Sequence, residues 1–348
     1  MMSTNLFFVR LPRLRQVVIF TPILILVALI WHYHEVIGLG FTLATLPINW
    51  FRDSSTWLIS KENDGFDVSF ANYSIHQTTA GDGYEDRVPA ILHHIMLGSK
   101  KPMEGWNDAR QTCIDLHPGW ESMQWTDEKA EKLVSEKFPD FKPTWDGYKL
   151  PIQRVDTLRY MILYEYGGVI LDMDVQCKRA LGPLRRFEFV VPAAYPTGFS
   201  VSFMMSSKRN EFIGALIKKW LKLYDRQWFY LPYVTVMMST GGHFASAIHV
   251  MWPDRSSLKV LAGPKDNFKL HTINGRVSTP LFNHLGSSSW HSYDGLFIML
   301  LGKYLKWILI GLSVSFIGSL LCVTGMSRRR RGRSPSRKER EDLEKRLE

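Results

Sequence analysis

Residues 151–175 (PIQRVDTLRYMILYEYGGVILDMDV) constrain the fold of this 348-residue chain more than any other stretch. Apolar residues recur at helical spacing over residues 153–166 and predict a helix with one buried side. Gly167 and Gly168 predict the end of that helix, because glycine enters a left-handed turn without a steric penalty. The aliphatic residues 169–171 then predict a short buried strand. A helix followed by such a strand is typical of α/β domains with a parallel sheet.

Two aspartates, Asp172 and Asp174, directly follow this predicted strand. Carboxylates two residues apart at a strand end can converge on one hard divalent cation, and open α/β sheets bind ligands at this end of their strands. Asp156 and Arg159 are three residues apart and are therefore neighbours on the preceding helix. The structural alternatives are two solvated turn carboxylates and a salt bridge on a helix surface.

A longer pattern joins these residues: R-x-D-x-x-R-Y-x-x-L-x-x-Y-G-G-x-x-x-D-x-D runs from Arg154 to Asp174. It resembles the signature of glycosyltransferases with a DXD motif, the family that includes the yeast outer-chain-initiating mannosyltransferase. The resemblance implies an α/β fold with a single Rossmann-like, nucleotide-sugar-binding domain of the GT-A type. Residues 88–96 resemble the first strand of the same family, and for His93 and His94 within it we expect a structural role rather than a ligand role.

The resemblance also implies roles for individual residues. Asp172 and Asp174 would be catalytic and would hold Mn²⁺ or Mg²⁺ against the donor diphosphate, since oxygen ligands suit these hard ions. Residues 283–291 (NHLGSSSWH) predict a loop that closes over the donor, in which His284 or His291 adds a metal or phosphate contact. We favour His291 as the metal ligand. The residues expected to bind the donor are Asp156, Arg159, Tyr160, Gly168, Ser289 and Trp290.

Two apolar segments predict a transmembrane helix at each end of the domain. Residues 17–31 follow a basic N-terminus, and we favour an uncleaved signal anchor over a cleaved signal peptide because no small-residue cleavage site directly follows. Residues 307–326 are uncharged over about one bilayer thickness and precede the basic run 328–331. Basic flanks favour the cytosolic side, so both termini are expected in the cytosol and the domain in the lumen. The net charge of +10 therefore indicates membrane orientation rather than nucleic-acid binding.

These features divide the chain into five parts. Residues 1–50 are a cytosolic basic tail and the signal anchor, and residues 51–87 a lumenal stem. Residues 88–294 are the GT-A-like domain, and residues 295–326 an interfacial segment and the C-terminal transmembrane helix. Residues 327–348 are a cytosolic basic tail. Cys113 and Cys177 either form one lumenal disulfide or remain two buried thiols.

The layout as a whole resembles the fungal inositol phosphorylceramide mannosyltransferases. That resemblance implies a Golgi-membrane enzyme that moves mannose from GDP-mannose to the inositol headgroup of inositol phosphorylceramide, with retention of configuration. It also implies a calcium-responsive membrane regulatory subunit as a partner. The alternatives are a mannosyltransferase directed at protein or glycan acceptors and a non-catalytic, lectin-like membrane subunit. A glycoside hydrolase is disfavoured, because carboxylates two residues apart are poorly placed to flank a glycosidic bond.

Overall fold

The computed structural model describes residues 12–98, 102–225, 231–287, 293–331 and 346, which belong to two compact units, Met1–Trp290 and His291–Glu348. The strands are β1 Ile91–Ile95, β2 Glu121–Trp125, β3 Gly168–Leu171, β4 Val175–Cys177, β5 Phe189–Pro192, β6 Phe203–Ser206, β7 Leu258–Leu261, β8 Val277–Ser278 and β9 Phe282–His284. The helices are α1 Pro12–Asn49, α2 Ser54–Trp57, α3 Lys61–Asp64, α4 Trp106–Leu116, α5 Asp127–Lys137, α6 Lys142–Gly147, α7 Pro151–Tyr166, α8 Glu211–Ala215, α9 Leu221–Leu223, α10 Pro232–Ser239, α11 Gly242–Met251 and α12 Tyr293–Arg331. A π-helical turn, Leu216–Trp220, joins α8 to α9.

The first unit is built on a six-stranded sheet in the order β2-β1-β3-β6-β5-β7. The pairs β1–β2, β1–β3 and β5–β7 are parallel, whereas β6 runs antiparallel to both β3 and β5. A second, antiparallel sheet has the order β4-β9-β8. The expected α/β class is therefore confirmed, with a mixed rather than a fully parallel sheet.

Strand β3 lies in the middle of the main sheet and all four of its residues are buried. Successive side chains of a strand point to opposite faces, so β3 contributes to two cores. Ile170 packs with α7 residues such as Leu158 and Ile162 on one face. Val169 and Leu171 pack on the other face with the segment that precedes the sheet and with α4. This double burial explains why β3 reads as a continuous aliphatic run.

The structure packs much of the expected stem, residues 51–87, onto the sheet. Trp57, Phe66 and Phe70 are fully buried, and Leu58 forms a parallel bridge with Val260 of β7. The physical reason is the aromatic content of this segment, because each such ring removes a large apolar area from water when it is buried. Because the segment is polar overall, its composition alone does not indicate that these rings are buried.

Helix α1 has two different environments along its length. Its residues 21–34 are exposed, and they include Leu24, Ile25 and Trp31. Further along, Leu39 and Leu43 are buried in the main core. The portion Thr21–Asn49 is long and apolar enough to cross a membrane, with a mean hydropathy of 1.7 in its most apolar window. This helix fits the expected N-terminal span, while its C-terminal part belongs to the folded domain.

The second unit contains α12, a helix of 39 residues. Its most apolar portion in the described part of the chain is the shorter stretch Ile310–Ser319. Within the residues that the structure describes, α1 alone meets the length and composition expected of a membrane span. The C-terminal span therefore stays a prediction.

Candidate active site

The turn between α7 and β3 sets the position of the Asp-x-Asp motif. Gly167 and Gly168 both have positive φ, +69° and +96°. A Cβ atom at Gly168 would lie 2.7 Å from the carbonyl oxygen of Ile91, so only glycine allows β3 to begin this close to β1. Gly168 is thus at the start of β3, whereas Asp172 follows its last residue, and the structure does not bring the two together.

Arg159 links the two expected pairs of functional residues. Its guanidinium donates to Asp172 through Nη1, and Nε lies 3.5 Å from Oδ1 of Asp156. The same Nη1 donates to the carbonyl oxygen of Val201 at 3.1 Å. Asp156 and Arg159 are only 3% and 5% exposed, so the alternative of a salt bridge on a helix surface does not hold. Burial of paired charges costs desolvation energy, which a surface pair avoids.

The two carboxylates on this arginine both have raised pKa values. Burial raises the pKa of Asp156 to about 6, although Arg159 and a hydrogen bond from Thr240 oppose the shift. Burial also raises the pKa of Asp172, again against the attraction of Arg159. Thr240 donates through Oγ1 to Oδ2 of Asp156 at 3.1 Å. The result is a network in which the buried Arg159 guanidinium lies between the buried carboxylate of Asp156 and the partly exposed carboxylate of Asp172.

Asp174 has a different set of partners. The backbone N–H of Ser287 donates to its Oδ2 at 2.9 Å, and Nε2 of His284 lies 3.4 Å from its Oδ1. Trp106 of α4 donates through Nε1 to Oγ of Ser287 at 3.0 Å. Burial opposes ionisation of Asp174, but the hydrogen bonds from His284 and Ser287 outweigh it and lower the pKa to about 2. Asp174 is therefore a carboxylate at neutral pH.

His284 reaches Asp174 because β9 pairs with β4 directly after the Asp-x-Asp motif, with Val175 opposite His284. Its Nδ1 lies 2.6 Å from the carbonyl oxygen of Gly275, so the proton of a neutral ring must be on Nδ1. The Nε2 lone pair of that ring would then face a carboxylate oxygen. This contact requires either a second proton or a cation between the two groups. Burial opposes protonation of His284, but its contacts with Asp174 and Gly275 outweigh burial and raise its pKa.

These residues fit a divalent ion that completes its ligand shell from its substrate. In the described part of the chain, no three His, Cys, Asp or Glu side chains gather closely enough to form a complete site. Mg²⁺ and similar hard ions are usually held by one or two carboxylates together with water and substrate phosphates. Asp174 and the Nε2 atom of His284, which lies 3.4 Å from it, provide such a partial set, while one carboxylate oxygen of nearby Asp172 is bound to Arg159.

The remaining expected site residues divide into two groups. Tyr160 is fully buried and donates through its hydroxyl to the carbonyl oxygen of Thr240 at 2.7 Å, so it supports the residue that contacts Asp156. Ser289, Trp290 and His291 lie outside the described residues. His93 accepts from Trp125 at 3.3 Å, and its other ring nitrogen contacts the carbonyl oxygen of Gly167 at 2.9 Å, as a structural histidine would.

Comparison with known proteins bears on this geometry. The family model described as "Glycosyltransferase sugar-binding region containing DXD motif" matches residues 103–190, which include α7 and both aspartates. Mannosyl phosphorylinositol ceramide synthase SUR1 of Saccharomyces cerevisiae is 37% identical over 60% of this chain and 53% of its own length. Inositol phosphoceramide mannosyltransferase 2 of Schizosaccharomyces pombe is 31% identical over 68% of each chain. The chain belongs to the DXD glycosyltransferase family.

Membership in the DXD glycosyltransferase family confirms the resemblance read from residues 154–174. A second Saccharomyces cerevisiae relative, mannosyl phosphorylinositol ceramide synthase CSH1, is 35% identical over 63% of this chain and 57% of its own. The match thus spans little more than half the length of either Saccharomyces relative. The solved structure "PaToxG Glycosyltransferase" aligns with a TM-score of 0.36 at 17% identity, over 52% of this chain and 76% of that one.

Two residues of the site lie beyond the family match and were missed or undervalued in the sequence. The sequence offered His284 only as the less favoured of two loop histidines, and the pairing of β9 with β4 is what brings it to Asp174. Thr240 follows α10 and contacts Asp156 across the fold. The sequence signal at Thr240 is the pair of glycines that follows it, and this signal also fits an ordinary turn before a helix.

Proposed function

We propose that this DXD glycosyltransferase transfers mannose from GDP-mannose to the inositol headgroup of inositol phosphorylceramide, with retention of the anomeric configuration. The observation that carries the proposal is the network of Asp156, Arg159 and the partly exposed Asp172 beside an ionised Asp174. The names of the relatives at 31–37% identity supply the substrate class. A nucleotide sugar needs both a cation for its diphosphate and polar groups for its hexose, and the network offers both.

Each side chain has a part in this reaction. Asp174, His284 and Asp172 would hold Mn²⁺ or Mg²⁺, and this ion stabilises negative charge on a departing nucleoside diphosphate when it is bound. Asp156 accepts hydrogen bonds from hydroxyls of the donor sugar. Arg159, kept in place by Asp172 and the Val201 carbonyl, adds positive charge next to the diphosphate.

The acceptor hydroxyl needs no protein base in this scheme. In a front-side route, an oxygen of the leaving diphosphate takes the proton of the attacking hydroxyl, and the new bond forms on the face from which the nucleotide leaves. The loop that we propose closes over the donor contains Ser289, Trp290 and His291. Tyr160 supports the site through its hydrogen bond to Thr240, and Gly168 through the close approach of β3 to β1. Closure excludes water and favours transfer over hydrolysis of the donor.

We further propose that the domain lies in the Golgi lumen, with both termini cytosolic and with a second span within α12. The apolar, exposed first part of α1 supports an anchor, and the bond between Cys113 and Cys177 supports an oxidising compartment. Two spans would keep the site at the membrane that carries the lipid acceptor. A calcium-responsive membrane subunit remains the proposed partner.

The test is transfer by the full chain in detergent or nanodiscs. Labelled GDP-mannose is offered with inositol phosphorylceramide or with free glycan acceptors, in Mn²⁺, in Mg²⁺ and in chelator. We expect label in the lipid, loss of transfer in chelator and an α-linked product. Label only in the glycan would favour the glycan-directed alternative, and mannose binding without turnover would favour the lectin-like subunit. Sugar release from a glycan without any nucleotide sugar would indicate a hydrolase.

A further inference from the structure

Helix α1 contains a proline, Pro47, in the part that packs in the folded domain. Proline has no backbone N–H, so it cannot donate to the carbonyl oxygen four residues earlier in a helix. In α1 that carbonyl belongs to Leu43, whose side chain is buried. Pro47 therefore leaves the carbonyl oxygen of Leu43 without the donor that a residue four positions later normally supplies. A buried carbonyl without a donor costs stability, so a partner from elsewhere is expected.

His243 supplies that partner. It is the second residue of α11, and its Nε2 lies 3.0 Å from the carbonyl oxygen of Leu43. Burial lowers the pKa of His243, so the ring is neutral at physiological pH and its single proton must be on Nε2 to donate here. The ring of His243 on α11 thus donates to the carbonyl oxygen on α1 that lacks a donor because of Pro47.

The residues just before His243 contact Asp156, the carboxylate that we propose binds the donor sugar. Thr240 donates to Asp156 at 3.1 Å, and its own carbonyl oxygen accepts from Tyr160 at 2.7 Å. The backbone N–H groups of Thr240 and Gly241 both donate to the carbonyl oxygen of Val236, at 3.1 and 2.8 Å. Thr240 is therefore fixed by its backbone as well as by its side chain.

The turn has little room to move. A Cβ atom at Gly241 would lie 3.1 Å from the Val236 carbonyl oxygen and 3.5 Å from Oδ2 of Asp156. At Gly242 it would lie 2.6 Å from the carbonyl oxygen of Phe199. The backbone of this segment thus lies against Asp156 at Gly241 and against Phe199 at Gly242, and the side chain of His243 contacts α1.

We propose that the segment 240–243, here called the coupling turn, positions Asp156 for the donor sugar and takes its own position from the anchor helix α1. Thr240 and His243 are positioning residues in this arrangement. The inference rests on the proposed function, because that function assigns the donor sugar to Asp156. Its consequence is that α1 contributes to donor affinity and does more than hold the domain at a membrane.

The Asp156 end of the coupling turn is tested with Thr240→Val and Thr240→Ser in the full chain. Valine keeps the shape of threonine but cannot donate to Asp156, whereas serine keeps the donor. We expect Thr240→Val to raise the donor KM about tenfold, with the acceptor KM unchanged, and Thr240→Ser to stay within about twofold of the wild type. Equal donor KM values for the valine variant and the wild type would overturn the role of Thr240.

The α1 end is tested with a double-mutant cycle between His243→Ala and Pro47→Ala. His243→Ala leaves the Leu43 carbonyl without a donor, and we expect Tm to fall by about 3–6 °C. Pro47→Ala supplies a helical N–H to that carbonyl. In the Pro47→Ala background, His243→Ala should therefore lower Tm by less than half as much as it does in the wild type. Pro22→Ala, also in α1 but in its exposed part, is the matched control and should leave the cost of His243→Ala unchanged.

Donor kinetics complete the cycle. We expect His243→Ala to raise the KM for the nucleotide sugar. His243→Gln retains a hydrogen-bond donor and should bring this KM most of the way back to the wild-type value. If His243→Ala and Pro47→Ala are additive in Tm, or if the donor KM of the alanine variant equals that of the wild type, the coupling is refuted. The Tm cycle requires no substrate, so it remains decisive for the contact with α1 even if the wild type transfers no mannose and the proposed function fails.

Discussion

Asp172 and Asp174 stand two residues apart and yet have opposite electrostatic environments. Burial raises the pKa of Asp172, which shares Arg159 with Asp156. The pKa of Asp174 falls to about 2 because His284 and the Ser287 N–H outweigh its burial. We infer a division of labour, in which Asp174 is the principal metal ligand and Asp172 connects the ion to the sugar-binding network.

Asp174→Asn should lower the rate of mannose transfer at least about 100-fold, because the amide removes the charge that holds the cation. The Ser287 N–H can still donate to the amide oxygen, so the folded structure should persist. The measurement is the initial rate with inositol phosphorylceramide together with Tm. Asp86→Asn is the control: Asp86 pairs with Arg185 at 2.6 Å away from the motif, so its loss should lower Tm and spare kcat. Full activity of Asp174→Asn would remove the metal role.

His284→Ala should raise the Mn²⁺ concentration needed for half-maximal activity about 10–100-fold, as loss of a metal-site partner typically does. The reason is that its Nε2 atom faces Asp174 at 3.4 Å while Nδ1 is engaged by Gly275. His291→Ala, measured in parallel, decides whether the loop histidine that we favoured from the sequence is also a ligand. An unchanged Mn²⁺ dependence of His284→Ala would show that this residue only supports β9.

At the scale of elements, the unit that builds the site is α7, the diglycine turn and β3. Helix α7 carries Asp156 and Arg159, and β3 ends next to them because Gly167 and Gly168 reverse the chain within two residues. The strand is locked between β1 and β6. Its end, and therefore the Asp-x-Asp motif, cannot shift without disturbing the central sheet.

Gly168→Ala should prevent stable folding, because its Cβ atom would lie 2.7 Å from the Ile91 carbonyl oxygen and 3.0 Å from Nε2 of His93. Gly119→Ala is a matched control, since Gly119 also has a positive φ, +82°, but no atom within 4 Å of the added Cβ. In the control, only backbone strain should reduce the free energy of unfolding, by about 1–2 kcal/mol. Tm and expression of the folded chain are the readouts. Equal losses in the two variants would mean that the β1–β3 contact is not the reason for the glycine.

At the scale of the whole molecule, distant parts of the chain are tied together by a few polar contacts. The disulfide joins Cys113 of α4 to Cys177 of β4, across 64 residues, and so selects the bridged alternative for these cysteines. Such a loop constrains the unfolded chain by on the order of 4 kcal/mol. Buried histidines make similar long-range links: His271 contacts the Val68 carbonyl oxygen at 2.6 Å, and Nε2 of His117 accepts from the backbone N–H of Leu181 at 2.9 Å.

Four buried histidines predict a loss of stability in acid. Burial lowers the pKa of His93, His117 and His271 to about 4 and that of His249 to about 3. The unfolded chain binds protons on these rings below pH about 6.5, whereas the folded chain stays neutral until about pH 4. Stability should therefore fall as pH decreases through this window, by up to about 1.4 kcal/mol per pH unit for each histidine.

Thermal unfolding of the full chain in detergent between pH 7 and pH 4.5 measures this effect. His271→Gln should weaken the pH dependence of Tm, because glutamine can still donate to the Val68 carbonyl oxygen but does not titrate. A flat Tm over the whole range, or a slope that His271→Gln leaves unchanged, would contradict the assignment.

The sequence by itself determined the local parts of this protein. Helical spacing predicted α7, and an aliphatic run predicted β3. The pattern around Asp156, Arg159, Asp172 and Asp174 indicated the family. These features depend on residues near one another in the chain, where periodicity and turn preferences act directly.

Only the tertiary structure decided which distant residues complete the site. His284 reaches Asp174 through the pairing of β9 with β4, Thr240 reaches Asp156 from the end of α10, and the rings of Trp57 and Phe66 make an expected stem part of the core. Each of these contacts depends on how sheets and helices pack as a whole, and a local pattern carries no record of that packing. The sequence identified the carboxylates Asp156 and Asp174, whereas their partners Thr240 and His284 are brought to them only by the folded structure.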